Sequence, residues 1–425
     1  MALKITDFTQ DIKVAAETAA IDAFIRAKKP RYSNVQSGRF QYVDLVMEGG
    51  GVLGLALVGF TYALERANLR FRSTAGTSAG AINALFLQAV APPSVAKSKK
   101  LLNLIAKMPM DKFQDGDDSA RKAVDLWLNG GSGVAKAMNF FAIKNELFDE
   151  LGLNPGDAFR DWVADAMTAN KVATMARLRA RMNEMPKDLV ILDREDPAKK
   201  TPVSAAKWSP DLALVTTELA TATRMVFPQD AGLCFRHPNK VNPAEFVRAS
   251  MAVPVFFEPM FVAGHPRGVA AEKRWRKHTG NPRIGVPKKL TFVDGGALSN
   301  FPISLFHSDG LPNMPTVGAK LGLESGKTED VDTLKELLGQ TISAMRFDSD
   351  RDFIRENPDY RQLVEVIDTR DHHWLNFAMK DNEKIRLFHC GVAAGRNWLE
   401  RFDWAAYQQT RAELLKARQA ARLTA

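Results

Sequence analysis

Segments with strand-type and helix-type patterns alternate along most of the chain. The run FQYVDLVM (Phe40–Met47) is rich in β-forming residues, and Gly54–Asn68 then has the pattern of a helix. Further strand-type runs lie at Phe71–Gly76, Leu212–Thr217, Met225–Phe227, around Phe256 and Phe257, at Leu290–Val293, Val317–Leu323 and Leu363–Ile367. Because helical segments separate most of these strands, the pattern predicts an α/β fold with a largely parallel central sheet.

Longer helical stretches flank and interrupt this alternation. Residues 1–38 have the pattern of a helical lead-in, residues 93–186 are mostly helical, and the chain is helical and charged from about residue 380 onward. We therefore predict three parts. They are the lead-in over 1–38, an α/β domain over 39–310 that contains 93–186 as a helical insertion, and a mixed, then helical, extension over 311–425.

A serine stands between two glycines where a strand-type run gives way to a helix. The segment Gly76-Thr77-Ser78-Ala79-Gly80 fits G-x-S-x-G, and the apolar residues that follow have the spacing of a buried helix. In a nucleophile elbow the glycines permit the sharp turn and leave the serine hydroxyl uncrowded. The alternative is a helix N-cap, a position that serine also favours. Ser78 is therefore a candidate nucleophile.

The segment MEGGGVLG, just before the first predicted crossover helix, is rich in glycine. Gly49, Gly51 and Gly54 fit the dinucleotide fingerprint G-x-G-x-x-G. That fingerprint also needs an acidic residue about 20 residues further on, and this chain has none at that place. Arg70 and Arg72 would nevertheless suit a 2′-phosphate, so an NADP-dependent oxidoreductase stays open as an alternative.

The same glycine-rich loop has a second interpretation. At the start of a helix, the backbone N–H groups of Gly50, Gly51 and Val52 would face an anion. In acyl transfer that anion is the tetrahedral oxyanion, and losing one such donor typically raises the barrier by about 3–4 kcal/mol. Close packing of strand and helix, with no ligand, is the structural alternative.

An aspartate follows a predicted buried strand and precedes two glycines. Asp294 comes directly after Leu290–Val293, and Gly295 and Gly296 leave its carboxylate uncrowded. Taken alone, Asp-Gly is also a common hairpin turn. A serine hydroxyl needs a neighbouring base to become nucleophilic, and a buried carboxylate with a raised pKa can act as one. The glycine loop, Ser78 and Asp294 together would supply every part of an acyl-transfer site.

The order EGGGVLG, GTSAG and DGG resembles the patatin-like phospholipase family. Two further stretches are similar to the family, LVTTELATATRMVF (Leu214–Phe227) and RASMAVPVFFEPM (Arg248–Met260). Together these motifs cover residues 42–304. Such a set of motifs in one order is far more specific than any single motif.

The resemblance implies a three-layer α/β hydrolase with a helical insertion and a helical C-terminal extension. It makes Ser78 the nucleophile of a Ser–Asp dyad, Asp294 the base, and Gly49-Gly50-Gly51 with Val52 the oxyanion hole. The supporting motif glycines are Gly54, Gly76, Gly80, Gly295 and Gly296. The implied reaction is cleavage of fatty-acyl esters of (phospho)lipids through an acyl-enzyme, without a metal or an organic cofactor.

One position departs from the family pattern. The glycine loop of the family usually carries lysine or arginine where this chain has Leu53. The missing positive charge bears on substrate preference and rate more than on the type of reaction. It also keeps open a non-catalytic lipid-binding protein of the same fold.

Histidines offer a catalytic triad as a further alternative. The order serine, acid, histidine of α/β hydrolases is met by every histidine that follows Asp294. These are His307, His372, His373 and His389. We expect each to be a surface or core histidine instead. Adjacent histidines do not share one helix face, which argues against a metal site at Asp371-His372-His373.

Composition and charge limit the class of protein further. The chain has 425 residues and a formal net charge of +9, which favours anionic surfaces. Cys234 and Cys390 are too far apart to indicate a disulfide framework or a thiolate zinc site. Asp7, Asp11 and Glu17 lie where a signal peptide would be apolar, and no run reaches the roughly 18 apolar residues of a membrane span. We expect a cytoplasmic protein, peripheral at a membrane at most, with leaderless export left open.

Two stretches bear on contact with lipid. Residues 265–283 are predicted as a basic loop, and within 267–283 Trp275 stands among lysines and arginines. This stretch is either solvated or a contact with an anionic membrane, with the ring at headgroup level. Apolar residues of the insertion form either a lid or a helix core: Met138, Phe140, Phe141, Leu147 and Phe148. We expect a lipid substrate and no nucleic acid, and the sequence does not indicate the oligomeric state.

Overall fold

A central sheet of eleven strands, with a separate two-stranded sheet, organises the part of the chain that the structure describes. The structure is a computed structural model that describes residues 3–116, 151–308, 310–322, 353–372, 374, 376 and 379–424. The strands are β1 (Val35–Ser37), β2 (Phe40–Met47), β3 (Leu69–Thr77), β4 (Gly152–Asn154), β5 (Leu189–Leu192), β6 (Lys200–Pro202), β7 (Leu212–Glu218), β8 (Thr223–Phe227), β9 (Val255–Phe257), β10 (Met260–Val262), β11 (Leu290–Asp294), β12 (Thr316–Leu321) and β13 (Val364–Ile367).

Helices connect and cover these strands. Those with both ends described are α1 (Ile5–Thr9), α2 (Ile12–Lys28), α3 (Gly54–Arg66), α4 (Ala79–Ala89), α5 (Ser98–Ala106), α6 (Asp157–Ala169), α7 (Met175–Met182), α8 (Ala231–Cys234), α9 (Ala244–Ser250), α10 (Val269–Thr279), α11 (Tyr360–Leu363), α12 (Asp381–Arg401) and α13 (Trp404–Thr424). No helix within these described ranges is both long and apolar enough to cross a bilayer.

The middle of the large sheet is parallel and its margins are antiparallel. Strands β13, β12, β2, β3 and β7 lie side by side, and each neighbouring pair is parallel. The pairs β1–β2, β1–β5, β5–β6, β7–β8, β7–β11 and β10–β11 are antiparallel. Parallel neighbours need crossover connections, and α3 supplies one between β2 and β3. The predicted α/β class with a largely parallel central sheet is confirmed.

The central strands of the large sheet are buried along most of their length. All seven residues of β7 are buried, as are the last six of β2. A parallel strand that is covered on both faces has such a near-continuous apolar run rather than an alternating one. The central strands therefore form the middle layer of a three-layer α/β fold.

Two strands that follow residue 310 belong to the same sheet. Strand β12 pairs with β2, and β13 pairs with β12. Helix α12 packs closely on α3. The packing is so close that a Cβ on Gly59 would collide with the Phe388 carbonyl, and a Cβ on Gly391 with the Ala56 carbonyl. The proposed division of the chain at residues 38 and 310 stays a prediction.

In the basic stretch at 265–283, the structure differs from two predictions, one about its secondary structure and one about Trp275. Its central part, Val269–Thr279, is the helix α10 and not a loop. Ala271 and Trp275, one helical turn apart, are buried while the charged residues between them face outward. Trp275 is 0% exposed, so the interpretation that places its ring at the headgroup level of a membrane is wrong. The lid candidates Met138, Phe140, Phe141, Leu147 and Phe148 lie outside the described residues.

Candidate active site

Ser78 lies on a sharp turn between β3 and α4. Its backbone has φ 53° and ψ −121°, and α4 begins at the next residue. A Cβ on Gly76 would collide with the backbone of Gly80, and a Cβ on Gly80 with the carbonyl of Met47. Gly76 is therefore required by the tightness of the turn itself, and Gly80 by the close approach of the turn to β2. The side chain of Ser78 makes no N-cap hydrogen bond, so the turn has the geometry of a nucleophile elbow.

Two residues at the end of α9 hold the serine in place. The Ser78 N–H donates to Oγ of Ser250 over 2.9 Å, and that hydroxyl donates to the Val215 carbonyl over 2.5 Å. The Ser78 hydroxyl donates to Sδ of Met251 over 3.2 Å, and Ser78 is fully buried. Sequence reasoning missed both contact residues, although a serine within the apolar run RASMAVPVFF was a signal for a buried polar partner.

The glycine loop lies directly beside the serine. A Cβ on Gly49 would come within 3.1 Å of the Ser78 Cβ. The Gly49 N–H donates to the Asn300 carbonyl over 3.0 Å, and Nδ2 of Asn300 donates back to the Gly49 carbonyl over 3.2 Å. Asn300, which follows the DGG motif, thus ties the loop to the segment that carries Asp294.

The backbone N–H groups of the loop are not equivalent. The Val52 N–H donates to the Trp374 carbonyl over 2.9 Å, so this candidate oxyanion donor is occupied. The N–H groups of Gly50 and Gly51 have no hydrogen-bond partner among the residues that the structure describes. Gly51 has φ +55°, a conformation that glycine adopts without strain. Two adjacent donors, which follow the Gly49 that lies beside Ser78, therefore remain for an anion.

Asp294 ends β11 at the level of the serine in the sheet. Thr77 pairs with Val215 and Asp294 pairs with Thr216, so β7 separates Ser78 and Asp294 by two strand spacings, about 10 Å between backbones. Asp294 is 4% exposed, and its Oδ1 accepts the Gly296 N–H over 2.8 Å. A 3₁₀ turn, Gly295–Ala297, follows it, so the hairpin alternative is wrong.

The turn after Asp294 packs against the residue before the serine. A Cβ on Gly295 would lie 2.9 Å from Cγ2 of Thr77 and would collide with the Val215 carbonyl. The Thr77 hydroxyl donates to the Ser299 carbonyl over 2.8 Å. The structure therefore brings together the three motifs that the sequence singles out. Leu53, which stands where the glycine loop of the family usually has lysine or arginine, is buried, with 6% of its surface exposed.

The two arginines of the nucleotide alternative lie far from the glycine loop. Arg70 donates to the Leu69 carbonyl and stacks over the ring of Phe40. Arg72 binds Asp44 with Nε at 3.0 Å and Nη2 at 2.6 Å. Both lie in the first half of β3, whereas the glycine loop follows the end of the parallel neighbour β2. Neither arginine is in position for a phosphate on the loop.

The described histidines have other surroundings. Nδ1 of His307 lies 2.8 Å from the Tyr360 hydroxyl. His372 and His389 line a separate cavity of about 240 Å³, and burial lowers the pKa of His372. His373 lies outside the described residues. Within the described ranges, no group of three or more histidine, cysteine, aspartate or glutamate side chains could hold a metal ion.

Comparison with solved structures gives distant similarities. VipD from Legionella pneumophila is 16% identical with a TM-score of 0.39, over 84% of this chain and 66% of VipD. ExoU, in its complex with SpcU from Pseudomonas aeruginosa, is 18% identical with a TM-score of 0.34, over 84% of this chain and 51% of that chain. This chain thus spans about two thirds of VipD and half of ExoU.

Comparison of sequences is more decisive. A protein of Bacillus subtilis (strain 168), "Uncharacterized protein YqhO", is 26% identical over 366 residues, which cover 85% of this chain and 100% of that protein. The family model described as "Patatin-like phospholipase" matches residues 45–307, more than half of the chain. The match begins in β2 and runs past Asn300, so it includes the glycine loop, the elbow and the DGG turn. This chain therefore belongs to the patatin-like phospholipase family.

Proposed function

We propose that this protein is a serine acyl hydrolase that cleaves fatty-acyl esters of phospholipids or related lipids. The observation that carries the proposal is the position of Ser78, on an elbow beside the glycine loop and level with Asp294. Membership of a phospholipase family supports a lipid as the substrate. The reaction uses a Ser–Asp dyad and needs neither a metal nor an organic cofactor.

The chemistry runs in two acyl transfers. The Ser78 hydroxyl attacks the ester carbonyl while the Asp294 carboxylate accepts its proton, and the N–H groups of Gly50 and Gly51 stabilise the oxyanion. The tetrahedral intermediate collapses, the C–O bond to the leaving alcohol breaks, and Asp294 returns the proton to that oxygen. Water then attacks the acyl-serine by the same route and releases the fatty acid.

Substrate reaches the serine only after side chains move. Ser78 is fully buried and its hydroxyl is engaged by Met251. A thioether side chain is flexible and repacks readily around an apolar ligand. We propose that Met251 turns aside as the acyl chain enters, which releases the hydroxyl toward Asp294.

The exposed side of α10 is the proposed contact with the membrane. Lys273, Arg274 and Lys277 are exposed there, and Val269 is 84% exposed at its first residue. Cations near an anionic leaflet each contribute about 1 kcal/mol. The contact uses these charges and not the buried Trp275. We place the protein in the cytoplasm, peripheral at the membrane surface.

Fatty-acid release from phospholipid vesicles tests the proposal. We expect Ser78→Ala and Asp294→Asn each to lower turnover by about a thousandfold or more, because members of a catalytic unit fail together. The matched controls, Ser94→Ala and Asp188→Asn, change exposed residues and should keep native turnover. Native turnover in Ser78→Ala would refute the dyad.

A non-catalytic lipid-binding protein is the second candidate. It is favoured by the buried, uncharged Leu53 where the family usually has a cation. Vesicle binding by native protein without any fatty-acid release, over a range of phospholipid and neutral esters, would support this alternative.

A further inference from the structure

A cavity of about 470 Å³ lies toward the other end of the central strands from Ser78. Asp44 of β2 and Arg72 of β3 form part of its wall. Arg72 precedes Ser78 by six positions of extended chain, about 20 Å along the strand. The volume is within the range of about 300–1,000 Å³ that small-molecule sites occupy.

A change of strand partners opens this cavity. One edge of β2 pairs with β3 along its length, and its other edge pairs first with β1 and then, from Asp44 onward, with β12. The two partners therefore diverge at the middle of β2. Val35 of β1 and Thr316 of β12 both line the cavity, which fills the gap between them.

One wall of the cavity is apolar. A small group of buried residues, here called the edge cluster, is separate from the main hydrophobic core. It consists of Val35, Tyr42, Leu189 and Trp208, with Phe40, Met185, Ile191, Val203 and Met314 packed on it. All of these except Phe40, Tyr42 and Met185 line the cavity. Such a wall binds hydrocarbon by removing its surface from water.

Another part of the wall holds a buried polar group with a proton to donate. Nη2 of Arg411 lies 3.3 Å from Nε2 of His307. An arginine only donates, so Nε2 accepts and His307 carries its proton on Nδ1, which then donates to the Tyr360 hydroxyl. That leaves the proton of Tyr360, which is 3% exposed, with no acceptor among the described residues. Burial raises the pKa of Tyr360, so the hydroxyl keeps this proton.

The rim of the cavity is positively charged. Lys207 lines it and is exposed. Arg194 donates from Nη2 to the Leu311 carbonyl over 2.7 Å and to Oδ1 of Asn313 over 3.2 Å, and both of these residues line the cavity. Neither cation forms an ion pair with a carboxylate in the described part of the chain, although the exposed Asp193 carboxylate interacts electrostatically with Arg194. The charges of Arg72 and Arg411, by contrast, are balanced by carboxylates.

We propose that this cavity binds a small amphiphilic anion, a carboxylate or phosphate monoester attached to a short hydrocarbon body. The hydrocarbon lies on the edge cluster, and the anionic group lies toward Lys207 and Arg194. The hydroxyl proton of Tyr360, which has no acceptor among the described residues, adds a hydrogen-bond donor to the cavity wall. The site is distinct from Ser78, so it does not depend on the proposed hydrolase activity.

Calorimetric titration of the Ser78→Ala protein with eight-carbon ligands tests the proposal. We expect octanoate and octyl phosphate to bind at one site per chain, at least tenfold more tightly than octyl glucoside or octyltrimethylammonium. The tighter of the two anions identifies the head group. Equal binding of all four ligands would overturn the assignment.

Variants locate the site. The double variant Arg194→Gln/Lys207→Gln should weaken octanoate binding about fivefold, as expected for two solvent-screened charges, while Lys273→Gln/Arg274→Gln on α10 should not. Val203→Trp should fill the cavity and abolish binding. Octanoate binding that is native in both the double variant and Val203→Trp would refute the proposal.

A quenching measurement covers the case in which Val203→Trp does not fold. Bromine on the chain quenches a tryptophan that it touches, so 8-bromooctanoate should lower the fluorescence of Trp208 at saturation. The change should disappear in Trp208→Phe and persist in Trp162→Phe, which alters a tryptophan of α6. Quenching that persists in Trp208→Phe would place the ligand elsewhere.

Discussion

At the scale of the residue, the candidate site depends on a few backbone positions that tolerate no alternative. Ser78 has φ 53°, and a non-glycine residue in such a conformation costs about 1–3 kcal/mol unless its surroundings hold it there. The surroundings here are the Ser250 hydroxyl on its N–H and the two motif glycines beneath the turn. Strain of this kind is typical of a nucleophile elbow.

Gly295 sets the position of Asp294 relative to the serine. A methyl group on it would meet Thr77 and the Val215 carbonyl, so we expect Gly295→Ala to displace the aspartate and to lower turnover at least tenfold. The overpacking should also lower the free energy of unfolding by about 1–3 kcal/mol. Gly232→Ala, where a Cβ has open space, is the control. Turnover and urea unfolding measure both effects, and native turnover in Gly295→Ala would contradict this role.

Lys97 makes the stability depend on pH. Burial lowers its pKa from 10.5 to about 7, and its Nζ has no hydrogen-bond partner among the described residues. The folded state then binds fewer protons than the unfolded state between these two pKa values. The unfolding free energy therefore rises with pH over that window, by up to about 1.4 kcal/mol per pH unit.

We expect Lys97→Met to be more stable than native protein at pH 7, with a difference that shrinks toward pH 10. Urea unfolding at several pH values measures it. Lys99→Met, at an exposed neighbour, should keep the native pH dependence. A constant difference between Lys97→Met and native protein across this range would show that Lys97 is not the titrating group.

At the scale of the element, the close contact between α3 and α12 joins the last part of the chain to the sheet. Gly391 lies against the Ala56 carbonyl, which cannot rotate away. We expect Gly391→Ala to lower the unfolding free energy by about 1–3 kcal/mol through overpacking, despite the higher helix propensity of alanine. Asn397→Ala, at an exposed position of the same helix, should be neutral. Equal midpoints in urea for both variants would contradict the packing.

The pattern of the sequence predicts elements better than it predicts contacts. The strand Phe40–Met47 was predicted with its observed bounds, because a covered parallel strand has a continuous apolar run. The helix α10 was missed, since only Ala271 and Trp275 mark its buried face within a run of charges. A local sequence pattern predicts local structure. The buried face of a short helix depends instead on the residues that pack against it, which a local pattern does not contain.

In the candidate site, too, the sequence predicts the motifs better than the contacts between distant residues. Ser78, Asp294 and the glycine loop stand out because each follows a strand and is flanked by glycines, and their catalytic roles stay predictions. Met251 and the Trp374 carbonyl, which contact the serine and the loop, could not be predicted. Those contacts join residues more than 170 positions apart, and no local pattern encodes them.

At the scale of the whole molecule, a net charge of +9 favours an anionic surface, and α10 carries four exposed cations, of which Arg276 is paired with Glu272. We expect Lys273→Gln/Arg274→Gln/Lys277→Gln to weaken binding to anionic vesicles by about a hundredfold, at about 1 kcal/mol per cation. Binding of the native protein should also weaken as salt is added. Vesicle sedimentation measures both.

A triple variant of equal charge change separates this surface from net charge alone. Lys99→Gln/Lys107→Gln/Lys112→Gln alters exposed lysines on another part of the molecule. It should bind vesicles nearly as native protein does. If both triple variants lose the same affinity, the binding depends on total charge and not on α10.

Labelling with a fluorescent fluorophosphonate is a direct test of whether Ser78 is an activated nucleophile, because the probe reacts with a serine that a base and an oxyanion site activate. We expect labelling of native protein and of Ser94→Ala, and none of Ser78→Ala. Labelling that persists in Ser78→Ala, or a folded native protein that is not labelled in the presence of vesicles, would contradict an activated serine at Ser78.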